Sequence, residues 1–190
     1  MNFGNWLAEN RLDHVFTHLA PADAEINDDL LRLPTPGRHI VLTTLCQGWH
    51  GAFKLLPDTL KTEKNLRAVD QEGLNGFQSL VQWDQIDDIP GELFTIENFV
   101  ELPPDPVTGK SPKFTISSFE TLLIRDGLTT AFENKDFARL CRDCYESVKT
   151  KITKLPKLPH RRRNEVALAK LLLTGPTNDH RLEQINTITP

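Results

Sequence analysis

The sequence predicts an all-α protein: a short helical-repeat solenoid closed by a C-terminal helical cap. Two recurrences and one helical pattern carry this prediction. Shifted by thirty-three, Ile89-Pro90, Leu93, Thr95 and Asn98-Phe99 fall on Leu56-Pro57, Leu60, Thr62 and Asn65-Leu66. Gly37, Gly73 and Gly109 recur at thirty-six, each a few residues ahead of a small or apolar segment. A period of this size marks units that bury their apolar faces only against their neighbours. Beyond residue 128 the recurrence fades, and apolar residues return at three and four, the period of an amphipathic helix.

In chain order, residues 3–19 form a worn first unit. Trp6, Leu7 and Ala8 are the packed side of a short helix, and Leu12, Val15, Phe16 and Leu19 lie at helical spacing in a second. Pro34-Thr-Pro-Gly37 closes an acidic loop as a turn. In the second unit a helix over Val41–Gln47 stops at Gly48, a residue suited to ending helices. Its second helix carries Phe53, Leu56 and Leu60, with Pro57 near the start, where a missing N–H costs little. The third unit repeats the plan with Phe77, Leu80, Val81, Ile86, Ile89 and Leu93, and Pro90 takes the place of Pro57. A fourth begins at Gly109-Lys-Ser-Pro112. Predicted core residues are Phe53, Leu56, Leu80, Ile89 and Leu93.

The units therefore run over about 3–36, 37–72, 73–108 and 109–128, the cap over 129–176 and a tail over 177–190. In the cap, Phe132, Phe137, Leu140, Cys141, Cys144, Tyr145, Val148 and Ile152 predict one long helix over about Thr130–Thr153. Leu155-Pro-Lys-Leu-Pro159 breaks it, and a last helix over Arg161–Thr174 stops at Gly175-Pro176. Such end units cover the last apolar face of a repeat array. The tail has little apolar content and is expected to be partly mobile.

This pattern resembles ankyrin repeats, in which Asp-x-x-Gly-x-Thr-Pro-Leu-His precedes a helix, an inter-helix glycine and a second helix. Asp70-Gln-Glu-Gly73, Asp105-Pro-Val-Thr-Gly109 with one insertion, Ser111-Pro112 in the Thr-Pro position and Gly48 carry the resemblance, which covers residues 3–125. The resemblance implies a non-enzymatic protein-binding module, with contacts from hairpin tips and exposed first-helix ends. Transferred residue by residue, these are Arg38, Cys46 and Gln47, then Gln71, Glu72, Leu74, Gln82 and Trp83, then Lys110, Ser118 and Phe119. Trp83, a large aromatic at a surface position, is the expected hot spot. The implied partner is another folded protein; an inhibitor, immunity-type or effector adaptor role is analogy from fold.

Composition narrows the alternatives. In a chain of 190 residues, 38% hydrophobic and 25% charged content excludes the disordered class. No apolar run reaches the roughly 18–20 residues of a membrane span, and the N-terminus lacks the basic start and apolar core of a signal peptide. Three cysteines make no disulfide framework, so a cytoplasmic setting is expected. No nucleophile elbow, phosphate loop or zinc-protease helix occurs. Cys141-x-x-Cys144 is one pair where a zinc site has two, and Asp84, Asp87, Asp88 and Glu92 read as a solvated helix start. Neither cofactor nor metal is expected, and no enzyme.

The formal charge of −4 is uneven: residues 1–148 hold 13 Lys and Arg against 23 Asp and Glu, residues 149–190 hold 9 against 3. Lys149, Lys151, Lys154, Lys157, Arg161, Arg162 and Arg163 form a basic run without acids. Polyanion or nucleic-acid binding through this run is the alternative function. No aromatic residues are interleaved to stack on bases.

Overall fold

Three tight turns, opened by Thr35, Asp70 and Asp105, set the frame of the N-terminal part of the chain. The N–H of each donates across its turn, to His39 O at 2.8 Å, Leu74 O at 3.0 Å and Lys110 O at 2.9 Å. Each turn contains one residue in the left-handed region: Arg38 at φ 67°, Gly73 at 87° and Gly109 at 68°. Gly37 lies in the first turn, but the left-handed residue is its neighbour Arg38. The structure is a computed structural model that describes residues 1–47, 51–113, 116–154 and 160–173. The chain divides into two compact units, Met1–Thr121 and a second beginning at Leu122. Among the described residues all regular elements are helical, apart from two isolated bridges.

In the first unit each turn sits between two helices whose starts are written in the sequence. Ahead of the turns are the four-residue helices α3 (Asp28–Leu31), α5 (Glu63–Leu66) and α7 (Ile96–Phe99), N-capped by Asn27, Thr62 and Thr95. Behind them are α4 (Val41–Cys46), α6 (Gly76–Gln82) and α8 (Ser118–Ile124), the last running past Thr121, where the first unit ends. Reciprocal side-chain and backbone bonds between Asn75 and Gln78, and between Ser117 and Glu120, open α6 and α8. The chain starts with α1 (Phe3–Glu9) and α2 (Asp13–Phe16), where Phe3, Trp6 and Leu7 are buried and Ala8 is exposed. α1 and α6 end alike: Arg11 and Asp84 turn left-handed, and the next N–H reaches back to Leu7 O and Leu80 O, at 2.8 Å in both.

The predicted second helices are replaced by single 3-10 turns, Phe53–Leu55 with Asp58–Leu60 and Ile86–Asp88 with Gly91–Leu93. The prolines are the cause. Leu56 and Ile89 precede Pro57 and Pro90, whose rings exclude the helical conformation there; both are extended, at ψ 146° and 127°. Phe53, Leu56, Leu80 and Ile89 are buried as predicted. Leu93 is half-buried instead, and Phe94 points inward to stack on Phe99 at 4.8 Å. Phe77 meets Phe99 edge-on at 5.8 Å. α4 and α5 both pack on α6. A Cβ at Gly76 would lie 2.7 Å from Leu66 Cδ2, which is how closely α5 approaches α6.

The second unit contains α9 (Leu128–Ala131), α10 (Lys135–Asp143), α11 (Tyr145–Lys154) and α12 (Arg161–Leu173). The predicted long helix is thus three helices. Asn134 caps the start of α10 with its side chain, and Cys144 leaves helical geometry at φ −112° and ψ 29°. α12 packs on α9, α10 and α11, burying Leu168 and Leu171. No described helix is long and apolar enough to cross a membrane. The tail 177–190, Lys157, Trp49 and the breaking segment 155–159 lie outside the described residues.

Candidate functional site

The turns at Thr35, Asp70 and Asp105 are joined to one another by the chain itself. Gln71 N–H donates to Arg38 O at 3.1 Å, and Lys113 N–H to Gly73 O at 3.1 Å. Lys113 Nζ donates to Gln71 O at 2.9 Å, and Lys110 Nζ to Asp70 O and to Val69 O. Gln71 and Lys110 tie one turn to the next, and Lys113 ties the second turn to the segment after the third. A buried carboxylate holds two of the turns from below. Asp70, 1% exposed, accepts Leu74 N–H at 2.9 Å and the Thr43 hydroxyl at 3.0 Å. Its Oδ2 also lies 2.7 Å from His39 Nδ1, so that nitrogen carries the proton and donates.

Asp105 does the same in the third turn. It accepts Val107 N–H at 2.9 Å, the Thr108 hydroxyl at 2.9 Å and Arg32 Nη1 at 2.9–3.1 Å. Burial raises its pKa, but the Arg32 guanidinium, the Val107 N–H and the Thr108 hydroxyl outweigh burial and hold it below the ordinary carboxylate value. A carboxyl with a depressed folded pKa contributes stability above its unfolded pKa. That contribution disappears as pH falls from there through the folded pKa. Arg32→Met removes the strongest lowering group, so the Asp105 carboxyl should titrate higher by carboxyl-carbon NMR. An unchanged titration would contradict the assignment.

Of the residues singled out in the sequence, the structure gathers Arg38, Gln71, Glu72, Leu74 and Lys110 on these turns. Arg38 and Gln71 are exposed, Leu74 and Lys110 are half-buried, and Glu72 lies 3.6 Å from Arg38 Nη1. Gln47 is half-buried with Nε2 against the His39 ring at 3.3–3.4 Å. Gln82 and Trp83 are exposed at the far end of α6, Trp83 at 39%. Phe119 is corrected: it is fully buried and belongs to the core, as do Cys46 and Ser118. The cause is register. α6 starts three residues after Gly73, whereas α8 starts nine after Gly109, so Phe119 falls in a first turn instead of at a helix end. Lys113, His39 and Thr43, which complete the cross-links, were not singled out. The turns themselves repeat at thirty-five residues, at Thr35, Asp70 and Asp105, but that spacing does not mark these three partners.

The basic run is partly engaged within its own unit. Lys149 lies over the Tyr145 ring at 5.5 Å, and Arg161 bonds Thr153 O and lies 3.4 Å from Glu165. Arg163 pairs with Asp126. Lys154 and Arg162 are exposed and Lys151 is half-buried. Burial pushes the Cys46 and Cys141 thiols up, which keeps them protonated packing groups. Asp88 is raised by partial burial, against the pull of Lys54 and Lys61. Among the described residues no three His, Cys, Asp or Glu side chains are grouped to hold a metal ion. No family model matches the chain, and no curated protein or solved structure matches it.

Proposed function

We propose that the first unit is a short ankyrin-like solenoid and acts as a non-enzymatic module that binds another folded protein. The contact surface is the row of turns at 35–39, 70–74 and 105–110, with the exposed helix end at Gln82 and Trp83. The cross-linking of successive turns is the observation that carries this reading. A row tied by backbone and lysine bonds is preorganised, so little ordering entropy is lost when a rigid partner docks. Arg38 and Gln71 present polar groups at its rim, and Trp83 supplies the aromatic area of a hot spot. Three free thiols suit a reducing compartment such as the cytoplasm.

Capture on the immobilised chain from lysate, followed by titration of the captured protein, tests this reading. Trp83→Ala should cost about 2 kcal/mol or more of binding free energy. Arg38→Glu combined with Gln71→Glu should weaken binding, and the combined Arg161, Arg162 and Arg163→Ala variant should bind normally with little salt dependence. Loss of binding in the arginine variant, with a steep fall in affinity as salt rises, would instead establish the polyanion reading.

A further inference from the structure

Two cations beside the row of turns, Lys110 and Lys113, are seated on main-chain carbonyls alone. Lys110 Nζ donates to Val69 O and Asp70 O, and Lys113 Nζ donates to Gln71 O at 2.9 Å. These are three successive carbonyls, so both ammonium groups are held on one short stretch of backbone. Among the described residues no carboxylate lies within ion-pair distance of either ammonium. The neighbouring cations are matched instead: Arg32 lies 2.9 Å from Asp105 and Arg38 lies 3.6 Å from Glu72. The buried Asp70 carboxylate is taken by Thr43, His39 and the Leu74 N–H. Lys113 is exposed and Lys110 is half-buried. Both stand on an otherwise acidic unit, since residues 1–121 hold 9 Lys and Arg against 18 Asp and Glu.

We propose that Lys110 and Lys113 anchor an aspartate or glutamate side chain of the partner protein. The inference rests on the row of turns being the protein-binding face, and it names the chemistry of the contact there. An ammonium has three hydrogens to donate. Lys113 uses one on Gln71 O and Lys110 uses two, so each keeps a donor for an incoming carboxylate. Bonds of that kind are charge-assisted and stronger than neutral ones. Lysine gives up much rotamer freedom when it is fixed. Here the carbonyl bonds already hold both side chains, so a docking acid gains its bonds without that ordering cost. A phosphate backbone is the poorer occupant. It sets one charge per about 1.7 Å of duplex axis, and the acidic excess of the unit, with Glu72 on the second turn, repels so continuous a polyanion. A single carboxylate among neutral contacts meets only the two ammonium groups.

The test is backbone amide NMR of the full chain titrated with the capped peptide acetyl-Gly-Asp-Glu-Gly-amide. The control peptide carries asparagine and glutamine in place of the two acids. The expected result is saturable shifts at residues 70–74 and 110–113, with the control at least about tenfold weaker. Lys113→Gln keeps a donor for Gln71 O but removes the charge, and should weaken the acidic peptide by about threefold. Lys110→Gln combined with Lys113→Gln, with unchanged circular dichroism, should weaken it by about tenfold. Equal response to the two peptides, or affinity unchanged by these variants, overturns the proposal. Shifts confined to residues 149–163, or tighter binding of a duplex oligonucleotide at the two lysines, overturn it too. If a protein captured on the chain binds the combined variant with unchanged affinity and still protects the three turns from hydrogen exchange, the binding face stands and the carboxylate anchor falls. If the acidic peptide shifts the two lysines but the captured protein leaves the turns unprotected, the protein-binding reading of the row falls instead.

Discussion

Phe77→Ala should lower the unfolding free energy of the first unit by about 3–5 kcal/mol, the loss that follows emptying an aromatic site in a packed core. Phe77 is fully buried, lies edge-on to Phe99, and sits on α6, against which α4 and α5 both pack. Its removal therefore opens a cavity where several elements meet. Leu93→Ala makes the contrast, because Leu93 is half-buried and its transfer loss alone is about 1 kcal/mol. All three tryptophans, Trp6, Trp49 and Trp83, lie in residues 1–121, so urea unfolding followed by tryptophan fluorescence reports this unit. Equal losses in the two variants would contradict the assigned core.

Gly73→Ala should cost about 2–5 kcal/mol by combining two effects. The residue is held at φ 87°, where a side chain costs about 1–2 kcal/mol. The new Cβ would also lie 2.3 Å from Lys113 Cβ and 2.8 Å from Lys113 N, so the turn or Lys113 must shift, at a further cost of about 1–3 kcal/mol. Lys113 N–H is the group that ties this turn to the next segment. Gly109→Ala separates the effects, since Gly109 has φ 68° but nothing within 4 Å of an added Cβ. It should show the backbone cost alone. If both alanine variants lose the same stability, the close approach of Lys113 is not what Gly73 serves.

The starts of α4 and α12 were legible from the apolar pattern, whereas the caps at Asn27, Thr62, Thr95 and Asn134 went unread, and α3 falls in the expected acidic loop. Asn75 and Gln78 open α6, the prediction for α4 runs one residue past its end at Cys46, and α12 starts at Arg161 as expected. The spacing of Gly73 and Gly109 located two left-handed turns. It missed the third by one position, because Arg38 adopts a conformation that its residue type does not advertise. Pro57 and Pro90 were read as first-turn prolines. The stronger constraint was on the residues before them, and it split each expected helix into 3-10 turns. The break at Cys144 was hidden for another reason: the apolar period continues unbroken from Leu140 to Val148, and Cys144 itself carries no stop signal. Phe119 was misplaced because a period counted on glycines cannot register the six extra residues between Gly109 and α8. Cross-links such as Lys110 to Asp70 depend on turns brought together in space, and sequence spacing alone assigns no partner to a lysine.

The most direct test of the proposed binding face is a hydrogen-exchange footprint of the chain with and without a protein captured on it. The account predicts slowed exchange in peptides covering 35–39, 70–74 and 105–110 and at Gln82–Trp83, with α11 unchanged. Protection confined to α11 and the start of α12, with the three turns exchanging as in the free chain, would contradict it.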